Sequence, residues 1–462
     1  MKILLVEPPV SPFDIPTGSF GLPPPHHLER IGSLLVGNHD VRVFDMRLES
    51  HIALELADFQ PDLIGISCVA ANSHLAKRVL REAKQFNPHI LTVMGGHHPS
   101  LYPLGCNEDY VDFVVIGEGE LTFQDLVQTL EKRGDPAGVP GIAYRDREGL
   151  FKTNAPRQLA DLNELPLPAR QLTARYRQKK SYFRASWRPT DSIISSRGCP
   201  YKCNFCGLWK INQGRHRFRR ADLVADELQA IDDPFVCFVD DNTLDFVKNA
   251  YRIADAIEER GIHKTYELYG RADTVVQHPA LVERWADIGM KLLLIGLETT
   301  DQQSMDLMNK KGSVEKNRKA IEICRRNGVE IVAYFIVDPA FDKDDFRRLS
   351  DFVAANGLTH PVFTILSPFP GTELYKSVKD ELITDRLDLI DFYHTVMPTK
   401  LPLDEFYREF RDLYTRAYPA TKFLSSLWRD RAVLSPQMLL NSLKIKRKMT
   451  QLFKHHEMEP AC

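Results

Sequence analysis

Apolar residues in this chain gather into short continuous runs, and between the runs they recur at three and four spacing, so buried strands should alternate with amphipathic helices. In the first third, strands are expected at 2–6, 41–44, 63–67, 90–94 and 111–116, with helices at about 27–36, 73–86 and 120–133. This is the pattern of a doubly wound α/β sheet, whose ligands sit beyond the carboxyl ends of the strands. A second alternating series runs from about Ser192 to Leu374. Its strands are expected at 235–239, 266–269, 292–295, 331–337 and 363–366, after a first one near Ser192. The intervening helices fall at 221–231, 247–260, 279–289, 313–328 and 343–356, two of them stopping at a glycine. Strand and helix in strict alternation imply a parallel sheet covered by helices. A polar, Pro-rich stretch separates the two series, which divides the chain into a first unit at 1–135, a linker at 136–190, a second unit at 191–380 and a helical extension at 381–462.

The extension is apolar on one face at Phe406, Phe410, Leu413 and Tyr414. Its last stretch interleaves Lys444, Lys446, Arg447, Lys448 and Lys454 with apolar residues. A basic amphipathic helix can lie on an anionic membrane surface, although packing against the second unit with a solvated charged face is the simpler expectation. Acidic and basic residues nearly cancel, 62 against 60, so nucleic acid is not an expected partner. No run of apolar residues is long enough to cross a membrane, and the chain opens directly on a strand rather than a leader. Eight cysteines in 462 residues do not make a disulfide scaffold, which points to a reducing cytoplasm, with the inner membrane face as the one alternative address.

Three of those cysteines fall within Arg197-Gly198-Cys199-Pro200-Tyr201-Lys202-Cys203-Asn204-Phe205-Cys206-Gly207. A structural zinc site takes four protein ligands, and no further Cys-x-x-Cys or His pair lies nearby; His216 sits inside the basic run 215–220. A four-iron cluster held by three thiolates instead leaves one iron open for a small molecule.

The Cys-x-x-x-Cys-x-x-Cys spacing, with Phe205 just before the last cysteine, resembles the cluster motif of the radical S-adenosylmethionine (SAM) superfamily. The resemblance implies a partial (β/α)6 barrel, a 4Fe-4S cluster on Cys199, Cys203 and Cys206, and SAM cleaved there to a 5'-deoxyadenosyl radical. It also implies SAM contacts at the strand ends, where Asp240-Asp241-Asn242, Arg271 and Gly296-Leu297-Glu298 stand. Asp240 and Glu298 could equally be caps or surface acids, and Arg271 a salt-bridge residue. The first unit is similar to the cobalamin-binding domain that precedes the barrel in one subclass. That similarity makes Gly95-Gly96-His97-His98-Pro99-Ser100 and Gly117-Glu118-Gly119-Glu120 candidate cofactor contacts. It departs from the Asp-x-His-x-x-Gly form in having Arg47 where a cobalt-binding histidine would stand, and His97 and His98 are expected as hydrogen-bonding loop residues.

Within the subclass, the stretches 273–279 and 391–399 are most similar to the hopanoid C-3 methylase branch. This implies methylation of an unactivated carbon on a hydrophobic polycyclic lipid, with electrons from a flavodoxin or ferredoxin. Tetrapyrrole-modifying members, cyclase or methylase, share much of the pattern. A cluster- or cobalamin-binding protein without chemistry is the third reading. Methylthiotransferases are disfavoured, since Cys68 and Cys106 alone precede the triplet.

Overall fold

The computed structural model describes residues 1–11, 21–184, 187–418 and 447–458. Its first sheet contains β1 (Lys2–Glu7), β2 (Asp40–Asp45), β3 (Leu63–Ser67), β4 (Leu91–Gly95), β5 (Phe113–Val115), β6 (Ile142–Arg145) and β7 (Phe151–Thr153), hydrogen-bonded in the order β2-β1-β3-β4-β5-β6-β7. The first five are parallel and the last two antiparallel. The order reverses between β1 and β3, as a doubly wound sheet requires. Ile3, Leu4, Leu5, Ile64 and Met94 are fully buried, because helices cover both faces and leave no polar side.

The second sheet holds β8 (Thr190–Ile193), β9 (Phe235–Phe238), β10 (Thr265–Gly270), β11 (Met290–Glu298), β12 (Glu330–Val337) and β13 (His360–Ile365) in sequence order, every neighbouring pair parallel. This is the expected six-stranded partial barrel. Its helices bury one stripe each against the strands, with Trp285 of helix Pro279–Asp287 wedged against Phe238 and Tyr266 at ring distances of 5.5 and 6.0 Å. The apolar face of the extension forms helix Leu403–Ala417, which lays Phe406, Phe410 and Leu413 onto the same core.

Two expectations change. Residues 136–190 are not a plain linker: β6 and β7 extend the first sheet to Thr153, their short alternating pattern hidden among turn residues. Beyond Thr153 the chain builds a buried ionic layer between the two units. Glu29, on helix His26–Ser33, accepts from Thr173 and Arg177; Arg177 and Arg170 both pair with Asp191 of β8; Arg170 and Arg219 share Glu227. Charges this deep are tolerated because each has a partner, and removing one partner would strand the other. Of the basic stretch, Lys444 and Lys446 lie outside the described residues; where the chain is described again from Arg447, Met449 and Leu452 pack into the barrel core. Among the described residues no helix is long and apolar enough to cross a membrane.

Candidate active site

Cys199, Cys203 and Cys206 lie on the loop that leaves β8 at its carboxyl end. Gly198 opens the loop at φ +89°, and a Cβ there would collide with the Arg215 carbonyl, so only glycine fits. Asp241 fixes the same residue by accepting from its N–H at 2.7 Å. Further along, Asn204 donates through its backbone to the Met308 carbonyl and through its side chain to Leu307 O, while its own carbonyl accepts from Leu374 N at 2.9 Å. Leu374, just past the turn Pro368-Phe369-Pro370-Gly371, thus buttresses the cysteine loop. Burial raises all three thiols, Cys206 to about 12, so binding a metal there would release protons. Among the described residues no three His, Cys, Asp or Glu side chains converge on a single-ion site, and the donor set fits a multi-iron cluster better than zinc.

The strand-end residues separate into two groups. Asp240 was expected to touch SAM, but both of its oxygens are committed: Oδ1 accepts from the N–H of Ser195 and Ser196 at 2.7 and 3.0 Å, and Oδ2 from Ser195 Oγ at 2.5 Å. It is an internal cap on the chain leaving β8, and burial pushes its carboxyl up to about 6. Arg271 is likewise spoken for: its guanidinium stacks on the Tyr201 ring at 3.6 Å, pairs with Asp273 at 2.9 Å and donates to the Lys311 carbonyl. Glu298 remains a candidate. It ends β11 at φ +61°, its carboxylate pairs with Lys310, and Lys310 also donates to Gly296 O at 2.8 Å. A Cβ on Gly296 would strike both of these side chains, so a larger residue there would push the Glu298–Lys310 pair aside. Asn242, the third residue of the Asp240-Asp241-Asn242 strand end, is 3 % exposed with neither amide atom partnered, an orphaned polar group of the kind a polar ligand would satisfy. Phe205 is half-buried in the loop.

A cavity of about 400 Å³ opens at the carboxyl ends of the first sheet. Its floor is Leu5, Gly65, Ile66, Val93 and Val115, and its walls include Ser67, Gly95, Gly96, His97, Ser100, Gly117, Glu118, Gly119 and Glu120. The far wall is barrel: Ile194, Ser196, Arg197, Val239 and Asp241. Ser100 Oγ ties the two glycine segments together, donating to Gly96 O at 2.7 Å and accepting from Gly117 N at 2.9 Å. An apolar slot with glycine rims and a few hydroxyls suits a large flat cofactor with polar edges, as cobalamin is. Arg47 contributes no ligand, because its guanidinium is held by Asp45 at 2.6 and 2.8 Å and has no lone pair to give a metal. His97 and His98 begin the short helix His97–Leu101 rather than lying in a loop; burial lowers both, His98 to about 4.

Glu118 and Glu120 line that cavity as expected of cofactor contacts, and they also bind arginines. Glu118 accepts from Arg197 and Arg217 at 2.7 Å each, and Glu120 pairs with Arg197 and lies 3.7 Å from Arg30. These arginines hold Glu120 at about 2 despite its burial. Arg197, Arg217, Lys310 and Tyr201 are the functional neighbours that motif reading missed. Arg197 and Tyr201 could have been noticed from their places in the cysteine segment and Arg217 from the basic run 215–220; Lys310 comes from a distant segment with no local signal.

Residues 31–127 match the B12 binding domain model and residues 193–353 the radical SAM superfamily model. The hopanoid C-3 methylase of Methylococcus capsulatus is 31 % identical over 439 residues, covering 88 % of this chain and 83 % of that protein. The anaerobic magnesium-protoporphyrin IX monomethyl ester cyclase of Rubrivivax gelatinosus is 25 % identical, over 77 % of this chain and 64 % of that one. Among solved structures, the cobalamin-dependent SAM radical enzyme OxsB, with aqua-cobalamin and SAM bound, superposes with a TM-score of 0.74 at 17 % identity, over 99 % of this chain and 71 % of that one. Two cofactor domains in one chain, and a relative this similar over nearly the whole length of both proteins, place it: the chain belongs to the cobalamin-dependent radical SAM methyltransferases.

Proposed function

We propose that this enzyme methylates an unactivated carbon of a hydrophobic polycyclic lipid, a hopanoid at C-3, using a 4Fe-4S cluster on Cys199, Cys203 and Cys206. The observation that carries the reading is the shared cavity: one wall is the glycine-rimmed end of the first sheet, the other the barrel strand ends from which the cysteine loop springs. When bound, the cluster and SAM supply the hydrogen-abstracting radical and cobalamin the methyl group; the protein's part is to hold them around one dry space. Gly95, Gly96, Ser100 and Gly117 would shape the cobalamin side, and Glu298, Lys310 and Asn242 the SAM side. Asp241 and Asp240 hold the backbone between them. The similarity to the hopanoid C-3 methylase supports the substrate class. So do the half-buried Tyr269, Leu292, Tyr334 and Val362, which leave apolar surface on the barrel strands while neighbouring positions are sealed under helices. A flavodoxin or ferredoxin would deliver electrons, and the enzyme would work in the cytoplasm or at the inner membrane face where such a lipid resides.

The test is anaerobic incubation of reconstituted protein with SAM and a reductant. 5'-Deoxyadenosine above a Cys203→Ala control is expected, and its absence sinks the radical reading. Lipid and pigment extracts of an expressing host then decide the substrate: a triterpenoid heavier by one methylene supports the proposal. A changed tetrapyrrole with no such shift would transfer the assignment to the second reading, which the similarity to the protoporphyrin ester cyclase favours.

A further inference from the structure

Arg197 stands one residue before Gly198 and two before Cys199, on the two-residue strand Ser196–Arg197. Its guanidinium leaves the barrel and forks onto Glu118 and Glu120, the residues flanking Gly119 at the start of helix Gly119–Glu131. Arg217, on the antiparallel partner strand Arg217–Phe218, closes on the same Glu118 at 2.7 and 3.1 Å and on the Ala160 carbonyl at 2.6 Å. The pairs are largely shielded from water, with the Arg197 and Glu120 side chains 16 % and 8 % exposed. A planar guanidinium bound to two carboxylates fixes an angle as well as a distance, which a lysine ammonium cannot do. The cysteine loop is also anchored to the barrel, through Gly198 to Asp241 at its start and through Asn204 to Leu307 and Met308 further along. The loop is therefore held from both units at once, and Arg197 is its link to the first.

We propose that Arg197 is a positioning residue that sets the separation between the cofactor cavity of the first unit and the cysteine loop, so that methyl transfer depends on it more steeply than SAM cleavage does. SAM cleavage needs only groups on the barrel, whereas methyl transfer needs the two units in register. The inference rests on the cofactor assignment above, and the experiment keeps the two apart: wild-type protein that releases no 5'-deoxyadenosine defeats the assignment, whatever Arg197 does.

Arg197→Lys and Arg197→Gln are compared with wild type in two ways. In cofactor-free protein, amide exchange of residues 196–207 is expected to quicken roughly tenfold, since losing the fork frees the loop locally. In reconstituted protein, methylated product per 5'-deoxyadenosine is expected to fall roughly tenfold to a hundredfold, as a small misplacement of reacting groups does. An unchanged product ratio overturns the proposal, and so does a parallel loss of both products, which would mean the loop merely collapses. Should Arg197→Gln fail to fold, Arg197→Lys, which keeps the charge and loses only the fork, gives the same decision.

Discussion

Asp240 offers a quantitative test of the difference between a cofactor contact and an internal cap. Its carboxyl rises from an ordinary 3.8 to about 6, mainly because burial disfavours the charge. Each tenfold change in proton affinity is worth about 1.4 kcal/mol, so at neutral pH the ionised, folded form carries a cost of about 3 kcal/mol. The folded state binds the proton more tightly than the unfolded chain. Stability due to this group is therefore highest below pH 3.8 and is lost as pH rises through 6, about 2 kcal/mol of it between pH 4.5 and 7.5. In Asp240→Asn the retained Oδ1 still accepts from Ser195 and Ser196 N–H, and Ser195 Oγ can turn to accept from the new amide. The expected outcome, from urea unfolding of cofactor-free protein, is a variant that gains on wild type by about 2 kcal/mol as pH rises from 4.5 to 7.5. Asp240→Ala, by contrast, leaves both N–H groups buried and unpaired and should lose about 2 to 6 kcal/mol at pH 4.5, a deficit that narrows by about 2 kcal/mol at pH 7.5 because this variant too lacks the titrating carboxyl. A gap between Asp240→Asn and wild type that stays constant with pH would refute the reasoning, as would an Asn variant no more stable than the Ala one.

Gly198→Ala places a methyl group against the Arg215 carbonyl in a left-handed backbone; iron content after reconstitution should fall to background while circular dichroism stays near wild type. In Gly296→Ala the new Cβ meets Glu298 and the Lys310 ammonium, so SAM affinity by equilibrium dialysis should drop roughly tenfold or more while the midpoint of thermal unfolding moves little. The segment Leu452–His456 docks through His455 on His394 at 2.9 Å, with His394 in turn on Asp391, and through His456 on Tyr407 at 2.8 Å. Burial lowers His455 and His456 to about 4, so the folded state resists their protonation. Docking should weaken as pH falls from 6.5 towards 4, seen as faster protease cleavage after residue 446; cleavage independent of pH over that window would count against it.

Much of the architecture was legible in sequence because strand and helix periods are local properties. Apolar runs at β3, β9 and β12 and the three-four spacing of the barrel helices located those elements to within a few residues. The cysteine spacing was likewise legible, since three thiols on one short loop are a local feature wherever the loop sits. β6 and β7 escaped because each is a few residues long and is stabilised by pairing with a neighbour, which no local pattern records.

The carboxylates show where sequence stops. Asp240, Glu118 and Glu120 stand where a motif places cofactor contacts, but the role of an acid depends on what faces it. Here the facing groups are the Ser195 and Ser196 N–H donors, Arg197 and Arg217. Sequence alone determined two cofactor units, their order and the loop that carries three cysteines. Tertiary structure decided which acids are free to meet a cofactor and which bolt the units together, because ion pairs and caps form between segments far apart in the chain and brought together only by folding.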